Sequence, residues 1–128
     1  MAYTSGYQFP PDIPIRMFKS TQIVLALWLL WGFQAQAATE GQTQSLEKMG
    51  KLNGIALGCR YFDQVKTIKK ALVQALPKRR ELGRIFEAVT DQTYREFIAS
   101  KVACPSAETF AADLETAIQN LNQNFSSK

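Results

Sequence analysis

The fold of this chain is decided by the stretch Gly50-Lys51-Leu52-Asn53-Gly54-Ile55-Ala56-Leu57-Gly58-Cys59-Arg60-Tyr61-Phe62. It combines three glycines at four-residue spacing with Cys59, the first of two cysteines, and the second, Cys104, lies 45 positions later. Apolar residues recur every three or four positions, which predicts one face of an α-helix with the glycines on a neighbouring face. The apolar residues are Met49, Leu52, Ile55, Ala56, Cys59 and Phe62.

Gly50, Gly54 and Gly58 need a physical explanation, because each glycine inside a helix costs about 1 kcal/mol relative to alanine. Close approach of a second helix is one explanation, since small residues at this spacing let two backbones come together. A surface for self-association or for a partner is another, and simple weakness of the helix is a third. The polar residues Lys51 and Asn53 exclude a membrane span. We favour close packing against a helix of the same chain.

The N-terminal part of the chain has the pattern of a secretory signal. Arg16 and Lys19 supply positive charge, the eleven-residue segment 23–33 is the apolar core, and Ala37 closes an Ala-x-Ala cleavage site. The apolar core is too short to cross a bilayer, whose hydrocarbon takes around 20 residues of helix. A signal peptide is therefore predicted, and a retained membrane anchor is the alternative.

This signal sets the predicted domain boundaries. The signal peptide covers 17–37, and residues 1–16, with three prolines and no periodic pattern, are predicted to be a non-native or disordered extension. Cleavage near Ala37 leaves 91 residues, 38–128, in a periplasmic or secreted protein. Removal of residues 1–37 takes away two basic residues and one acidic one, which leaves 13 Lys and Arg against 10 Asp and Glu. The resulting net charge of +3 is mildly basic.

Two cysteines in an exported chain predict a disulfide between Cys59 and Cys104. Closing a loop of this length stabilises a fold by about 4 kcal/mol in the chain-entropy model. A redox-active or intermolecular role is the alternative to this structural one. Because the chain has no histidine and no Cys-x-x-Cys motif, neither a metal site nor a cofactor is predicted.

Beyond the opening stretch, every periodic segment predicts a helix. A flexible leader is predicted over 38–44, a helical domain over 45–125 and a frayed tail over 126–128. A second helix ends at Pro77, because proline cannot continue a helix, and a turn at Thr90-Asp91 separates two further helices.

Ser106 is placed to cap a final helix. Six apolar residues of that segment share one face: Phe110, Leu114, Ala117, Ile118, Leu121 and Phe125. No segment shows the alternation of a β-strand. The prediction is an all-α fold, a small bundle of four or five short helices held by one disulfide.

One part of the domain is densely basic, with seven cations in 19 positions. They are Lys66, Lys69, Lys70, Lys78, Arg79, Arg80 and Arg84. A solvated helix surface is the simplest interpretation, and binding to an anionic membrane surface or an acidic partner is the alternative. Nucleic acid is not a predicted partner, because the chain is exported and no stacking aromatic residues alternate with these cations.

The composition argues against an enzyme. Histidine, the commonest general base, is absent, both thiols are consumed by the predicted disulfide, and no spacing of carboxylates selects a catalytic pair. We therefore predict a non-enzymatic interaction module that binds another protein through a helix face. The alternatives are an envelope-associated protein that binds anionic lipid or glycan through the basic cluster, and a small enzyme of unknown type. No motif assigns the chain to a family, and the sequence leaves the partner's identity and the oligomeric state open.

Overall fold

The computed structural model describes residues 36–126, and each regular element between these positions is an α-helix. The helices are α1 (Glu40–Gly58), α2 (Phe62–Ala75), α3 (Arg80–Ser100) and α4 (Ala107–Ser126). The predicted all-α bundle is thereby confirmed for the described residues. The predicted extension over 1–16 and all but the last two residues of the predicted signal peptide over 17–37 lie outside them.

The first helix begins earlier than the sequence pattern indicated. Thr39 and Gln42 form a capping box: the Thr39 Oγ1 accepts a hydrogen bond from the Gln42 backbone N–H at 3.3 Å, and the Gln42 Oε1 accepts one from the Thr39 N–H at 3.1 Å. These two bonds satisfy donors that a helix start leaves unpaired. Residues 40–44, predicted as part of a flexible leader, are therefore the first turn of α1.

A break separates α1 from α2 at Arg60, whose φ of 60° lies in the left-handed region. This conformation ends α1 at Gly58, so Phe62 does not extend the apolar stripe of α1 but starts α2. The end of α2 agrees with the prediction. Leu76 has extended backbone angles after the last helical residue, because the proline at position 77 disfavours helical geometry in the residue before it.

The turn predicted at Thr90-Asp91 is wrong, because α3 runs through both residues without interruption. Neither residue is a helix breaker of the strength of glycine or proline. The Arg95 side chain, one turn further along, forms an ion pair with the Asp91 carboxylate and adds support across the predicted turn. The described part of the chain therefore has four helices rather than five.

The start of α4 follows the predicted pattern. Lys101 takes the left-handed conformation after α3, with φ of 53°. The Ser106 Oγ then accepts a hydrogen bond from the Thr109 backbone N–H at 3.2 Å, which is the predicted N-cap. α4 extends to Ser126, so the first residue of the predicted frayed tail is helical, and residues 127–128 lie outside the described part.

The four helices are arranged around α1, which contacts each of the other three. α2 and α4 also approach each other closely, whereas among the described helices the Cα atoms of α3 come within 8 Å only of those of α1. The core is an apolar cluster supplied mainly by α1, α2 and α4, and α3 contributes one buried side chain. The buried apolar residues are Leu46, Met49, Leu52, Ala56, Val65, Ile68, Ala71, Leu72, Leu82, Phe110, Leu114, Ala117 and Leu121.

The predicted disulfide is confirmed and joins the end of α1 to the segment before α4. Cys59 and Cys104 are bonded, with their Cα atoms 5.7 Å apart. Beside the bond, the Tyr61 hydroxyl donates a hydrogen bond to the Pro105 carbonyl oxygen at 2.6 Å, and its ring packs 5.6 Å from that of Phe110. These contacts fix the direction of α4 against the end of α1.

Candidate binding groove between α2 and α3

The three glycines of α1, Gly50, Gly54 and Gly58, lie against α3 of the same chain. A Cβ atom added at Gly54 would be 2.8 Å from the Thr90 carbonyl oxygen and 2.8 Å from Thr93 Cβ. These separations are well inside ordinary van der Waals contact, so the two helix backbones approach as closely as a residue without a side chain allows. The glycine face is therefore covered by α3.

The path of α3 along α1 leaves a groove on one side. Phe86 and Val89 pack at Gly50, and Phe97 packs at Gly58, so α3 runs in the same direction as α1. No Cα atom of α3 lies within 8 Å of one in α2, and a groove open to solvent runs between the two helices with α1 as its floor. We call this space the α2/α3 groove.

The α2/α3 groove has two sections. The larger has a volume of about 660 Å³ and includes Asn53, Lys69 and Arg84 in its lining, and the smaller has a volume of about 470 Å³ and includes Phe62 and Tyr94. Asp91 lines both sections, so they are neighbours along α3. Both sections are open to solvent rather than closed cavities.

The helical repeat explains why these residues share the groove. Four residues of its α3 wall are three or four positions apart and therefore lie on one face of the helix. Its α2 wall holds Phe62 and Lys69, two turns apart, and its floor holds Asn53 and Leu57, one turn apart on α1. The four α3 residues on one face are Arg84, Glu87, Asp91 and Tyr94, and the larger section is also lined by Phe86, Ala88 and Thr90.

Asn53 is the most unusual residue of the groove. It is 3% exposed, and its Nδ2 donates a hydrogen bond to the Thr90 Oγ1 at 3.4 Å. Its Oδ1 is buried and accepts no hydrogen bond from the described residues. Buried polar atoms in proteins are nearly always hydrogen-bonded, and leaving one unpaired costs about 1–3 kcal/mol. Because the Oδ1 has no surface accessible to solvent, this cost falls on the contact between α1 and α3.

The charges of the groove are unequal. Lys69 and Arg84 line the larger section and Arg60 lines the smaller one, and none of the three forms an ion pair within residues 36–126. The acidic residues of the lining are Glu87 and Asp91. Over both sections the lining has three basic and two acidic side chains, and the larger section alone has two of each.

The seven cations of the predicted anion-binding cluster do not come together in one site. Lys69 and Arg84 are brought together in the lining of the groove. Lys66 pairs with Asp63 at 3.3 Å on the exposed surface of α2. Arg79 pairs with Glu81 at 3.0 Å near the start of α3. The remaining members are exposed at the surface: Lys70, Lys78 and Arg80.

The smaller section of the groove has three apolar or aromatic side chains in its lining beside the charged Arg60 and Asp91. Phe62 is 57% exposed and Tyr94 40% exposed, and both line this section beside Leu57. Large exposed apolar side chains scattered singly are common, but side chains that converge on one cavity are typical of a binding surface. Ile98 adds a further exposed apolar side chain one turn beyond Tyr94 on α3.

The sequence pattern did not identify the groove or Asn53. Asn53 is a polar residue next to Leu52 and Gly54, inside a segment whose neighbouring positions are apolar or small. This interruption of a buried face was the available signal for a buried polar side chain. The groove itself depends on which helices fail to touch, and no local pattern in the sequence reports that.

In the part of the chain from 36 to 126, no group of three or more potential metal-ligating side chains comes together. Within the same residues, no helix has both the length and the apolar composition required to cross a membrane. Comparison of the chain with protein-family models, with curated proteins and with solved structures finds no match.

Proposed function

We propose that this protein is an exported, non-enzymatic binding module that holds another protein in the α2/α3 groove. The observation that carries the proposal is the pair of exposed aromatic side chains, Phe62 and Tyr94, that line one section of the groove beside the charged Arg60. Aromatic side chains and arginine are enriched at protein interfaces.

The openness of the groove to solvent along its length favours a polypeptide as the ligand. α2 and α3 are 14 and 21 residues long, and the groove between them joins two sections rather than forming one closed cavity. Small molecules are mostly bound in cavities that bury most of their surface, whereas peptides lie along grooves. The groove offers exposed aromatic side chains of the kind that dominate binding energy at protein interfaces.

Two exposed apolar residues of α2 provide a matched test. Phe62 lines the groove, whereas Val73 is 83% exposed and does not line either section. We expect Phe62→Ser to reduce recovery of a stoichiometric partner by crosslinking from an envelope extract, and Val73→Ser to leave recovery unchanged. Equal recovery by both variants and the unchanged protein would refute a role for the groove.

A further inference from the structure

We propose that the solvent-exposed side of α2 is a second interaction surface, which binds the protein to a lipid bilayer that contains anionic headgroups. This goes beyond the proposed function, which concerns a protein partner in the α2/α3 groove. The surface combines three lysines with two exposed apolar side chains, and we call it the α2 outer face. Its members are Phe62, Lys66, Lys69, Lys70 and Val73.

The helical repeat places these five residues on one side of α2. At about 100° per residue they fall within an arc of about 100°, away from the core. The buried residues of α2 occupy the other side: Val65, Ile68, Ala71 and Leu72. Phe62 and Lys69 also line the α2/α3 groove. Lys66, Lys70 and Val73 line neither section of the groove, so they belong to the α2 outer face alone.

The positive charge of the described chain is concentrated around this face. Residues 62–84 contain seven basic and two acidic residues, a net charge of +5. The rest of the chain between 36 and 126 contains five basic and eight acidic residues, a net charge of −3. α4 has three acidic residues and no basic one. The field of an anionic surface orients such an asymmetric molecule so that its positive side approaches first.

The lysines of the α2 outer face are accessible to lipid headgroups. Lys66 pairs with Asp63, but their side chains are 78% and 95% exposed, and ion pairs this exposed contribute little and are readily exchanged. Lys69 and Lys70 are exposed and form no ion pair with residues 36–126. A lysine can place its charged end among headgroup phosphates while its apolar stem lies against the acyl boundary.

Val73 favours a bilayer over an acidic protein as the partner of this face. Its side chain is 83% exposed, and its neighbours one turn earlier on the helix surface are Lys69 and Lys70. A valine among lysines presents no apolar pocket to a protein, whereas a bilayer interface accepts single apolar side chains below its headgroups. Phe62, which is 57% exposed, offers a second such side chain eleven positions earlier, about 16 Å along α2.

The experiment is co-sedimentation of the full chain, with its disulfide intact, with two kinds of vesicle. One contains equal parts of phosphatidylglycerol and phosphatidylcholine, and the other contains phosphatidylcholine alone. We expect binding to the anionic vesicles that weakens as salt is raised, because salt screens the attraction between exposed charges. Binding through the apolar segment 23–33 would be common to both vesicles and insensitive to salt. The absence of salt-sensitive binding to the anionic vesicles would overturn the inference.

Two lysines test the role of the face against that of net charge. Lys70→Gln and Lys51→Gln remove the same charge from an exposed helical position, but Lys51 lies on α1, outside residues 62–84. We expect Lys70→Gln to weaken binding to the anionic vesicles about fivefold and Lys51→Gln to leave it nearly unchanged. Equal effects of the two substitutions would show that net charge alone governs binding, and would overturn the assignment to α2.

Two valines test the apolar contribution in the same assay. Val73 is 83% exposed on the α2 outer face, and Val102 is 61% exposed after the end of α3. We expect Val73→Ser to weaken binding about fivefold and Val102→Ser to leave it unchanged. In a second readout, an environment-sensitive fluorophore on Val73→Cys should shift to the blue with anionic vesicles, and the same label on Val102→Cys should not. A shift at both positions or at neither would contradict docking through α2.

This inference and the proposed function fail in different experiments. Val73→Ser should lose vesicle binding and still recover the protein partner, whereas Phe62→Ser should reduce recovery of that partner. Lys70-dependent capture of an acidic protein, without binding to either kind of vesicle, would overturn the bilayer in favour of a protein ligand for this face. Partner recovery that does not depend on Phe62 would refute the proposed function and leave the vesicle results standing.

Discussion

The contact between α1 and α3 predicts opposite effects of one substitution at two glycines. An added Cβ at Gly54 would lie 2.8 Å from the Thr90 carbonyl oxygen, 2.8 Å from Thr93 Cβ and 2.9 Å from the Tyr94 nitrogen. Favourable contacts of a carbon atom lie at about 3.5–4.0 Å, so Gly54→Ala must push the backbone of α3 away by roughly 0.5 Å or more. Gly83, on α3, has nothing within 4 Å of the same added atom.

The free energies follow from two terms. Alanine gains about 1 kcal/mol over glycine inside a helix, and this gain applies at both sites. Overpacking costs about 1–3 kcal/mol, and the cost at Gly54 should be near the upper end because two of the three close atoms belong to the α3 backbone. We therefore expect Gly83→Ala to raise the free energy of unfolding by about 1 kcal/mol and Gly54→Ala to lower it by about 2 kcal/mol.

Urea unfolding followed by far-UV circular dichroism measures both values. With an m-value of about 1.5 kcal/mol/M, the midpoints of the two variants should differ by about 2 M urea. Gly83→Ala is the control for helix propensity, since it makes the same chemical change without a close neighbour. A Gly54→Ala variant as stable as the unchanged protein would refute the inference that α3 packs against this face of α1.

Three further predictions concern single features of the structure. Reduction of the Cys59–Cys104 disulfide, which spans 45 positions, should lower the free energy of unfolding by about 4 kcal/mol, measured as the shift in urea midpoint with and without reductant; a change below 1 kcal/mol would contradict the chain-entropy argument. Thr39→Ala should lower the free energy of unfolding by about 1 kcal/mol in the same assay, because it removes the capping box. An unchanged value would contradict a capped helix start and favour the predicted flexible leader. Asn53→Leu should raise the free energy of unfolding by up to about 1 kcal/mol, because removal of the unpaired buried acceptor outweighs loss of the long hydrogen bond to Thr90; a loss of stability in thermal unfolding would show that this bond stabilises the contact between α1 and α3.

Much of the fold was predictable because local rules decide it. The proline at position 77 and the cap at Ser106 act on their immediate neighbours, so the end of α2 and the start of α4 agree with the sequence pattern. The pairing of Cys59 with Cys104 follows from there being two cysteines in the chain. For Pro77 and Ser106 the physical cause lies within a few residues, and for the disulfide each cysteine has one possible partner in the chain.

The errors arose where a weak local preference competed with continuous helix. Thr90 and Asp91 are common in turns, but each costs only a fraction of a kcal/mol inside a helix, which the surrounding residues outweigh. The opposite error occurred at Arg60, whose left-handed conformation ends α1 although arginine is a good helix former. The groove could not be predicted at all, since it exists because the backbone of α3 lies close to that of α1 and further from that of α2.

The seam between α1 and α3 has a consequence for how the groove can change during evolution. α3 is held by the approach of two backbones, and Leu82 is its one buried side chain within the described chain. Residues on its groove wall, such as Glu87 and Tyr94, are exposed to solvent and supply none of the buried core. Substitutions on that wall should therefore alter which ligand is bound with little loss of stability. The glycines of α1 that pack against α3 should instead remain glycine or another small residue. The groove wall of α3 can therefore change with the ligand, while the glycine face of α1 and the buried core maintain the fold.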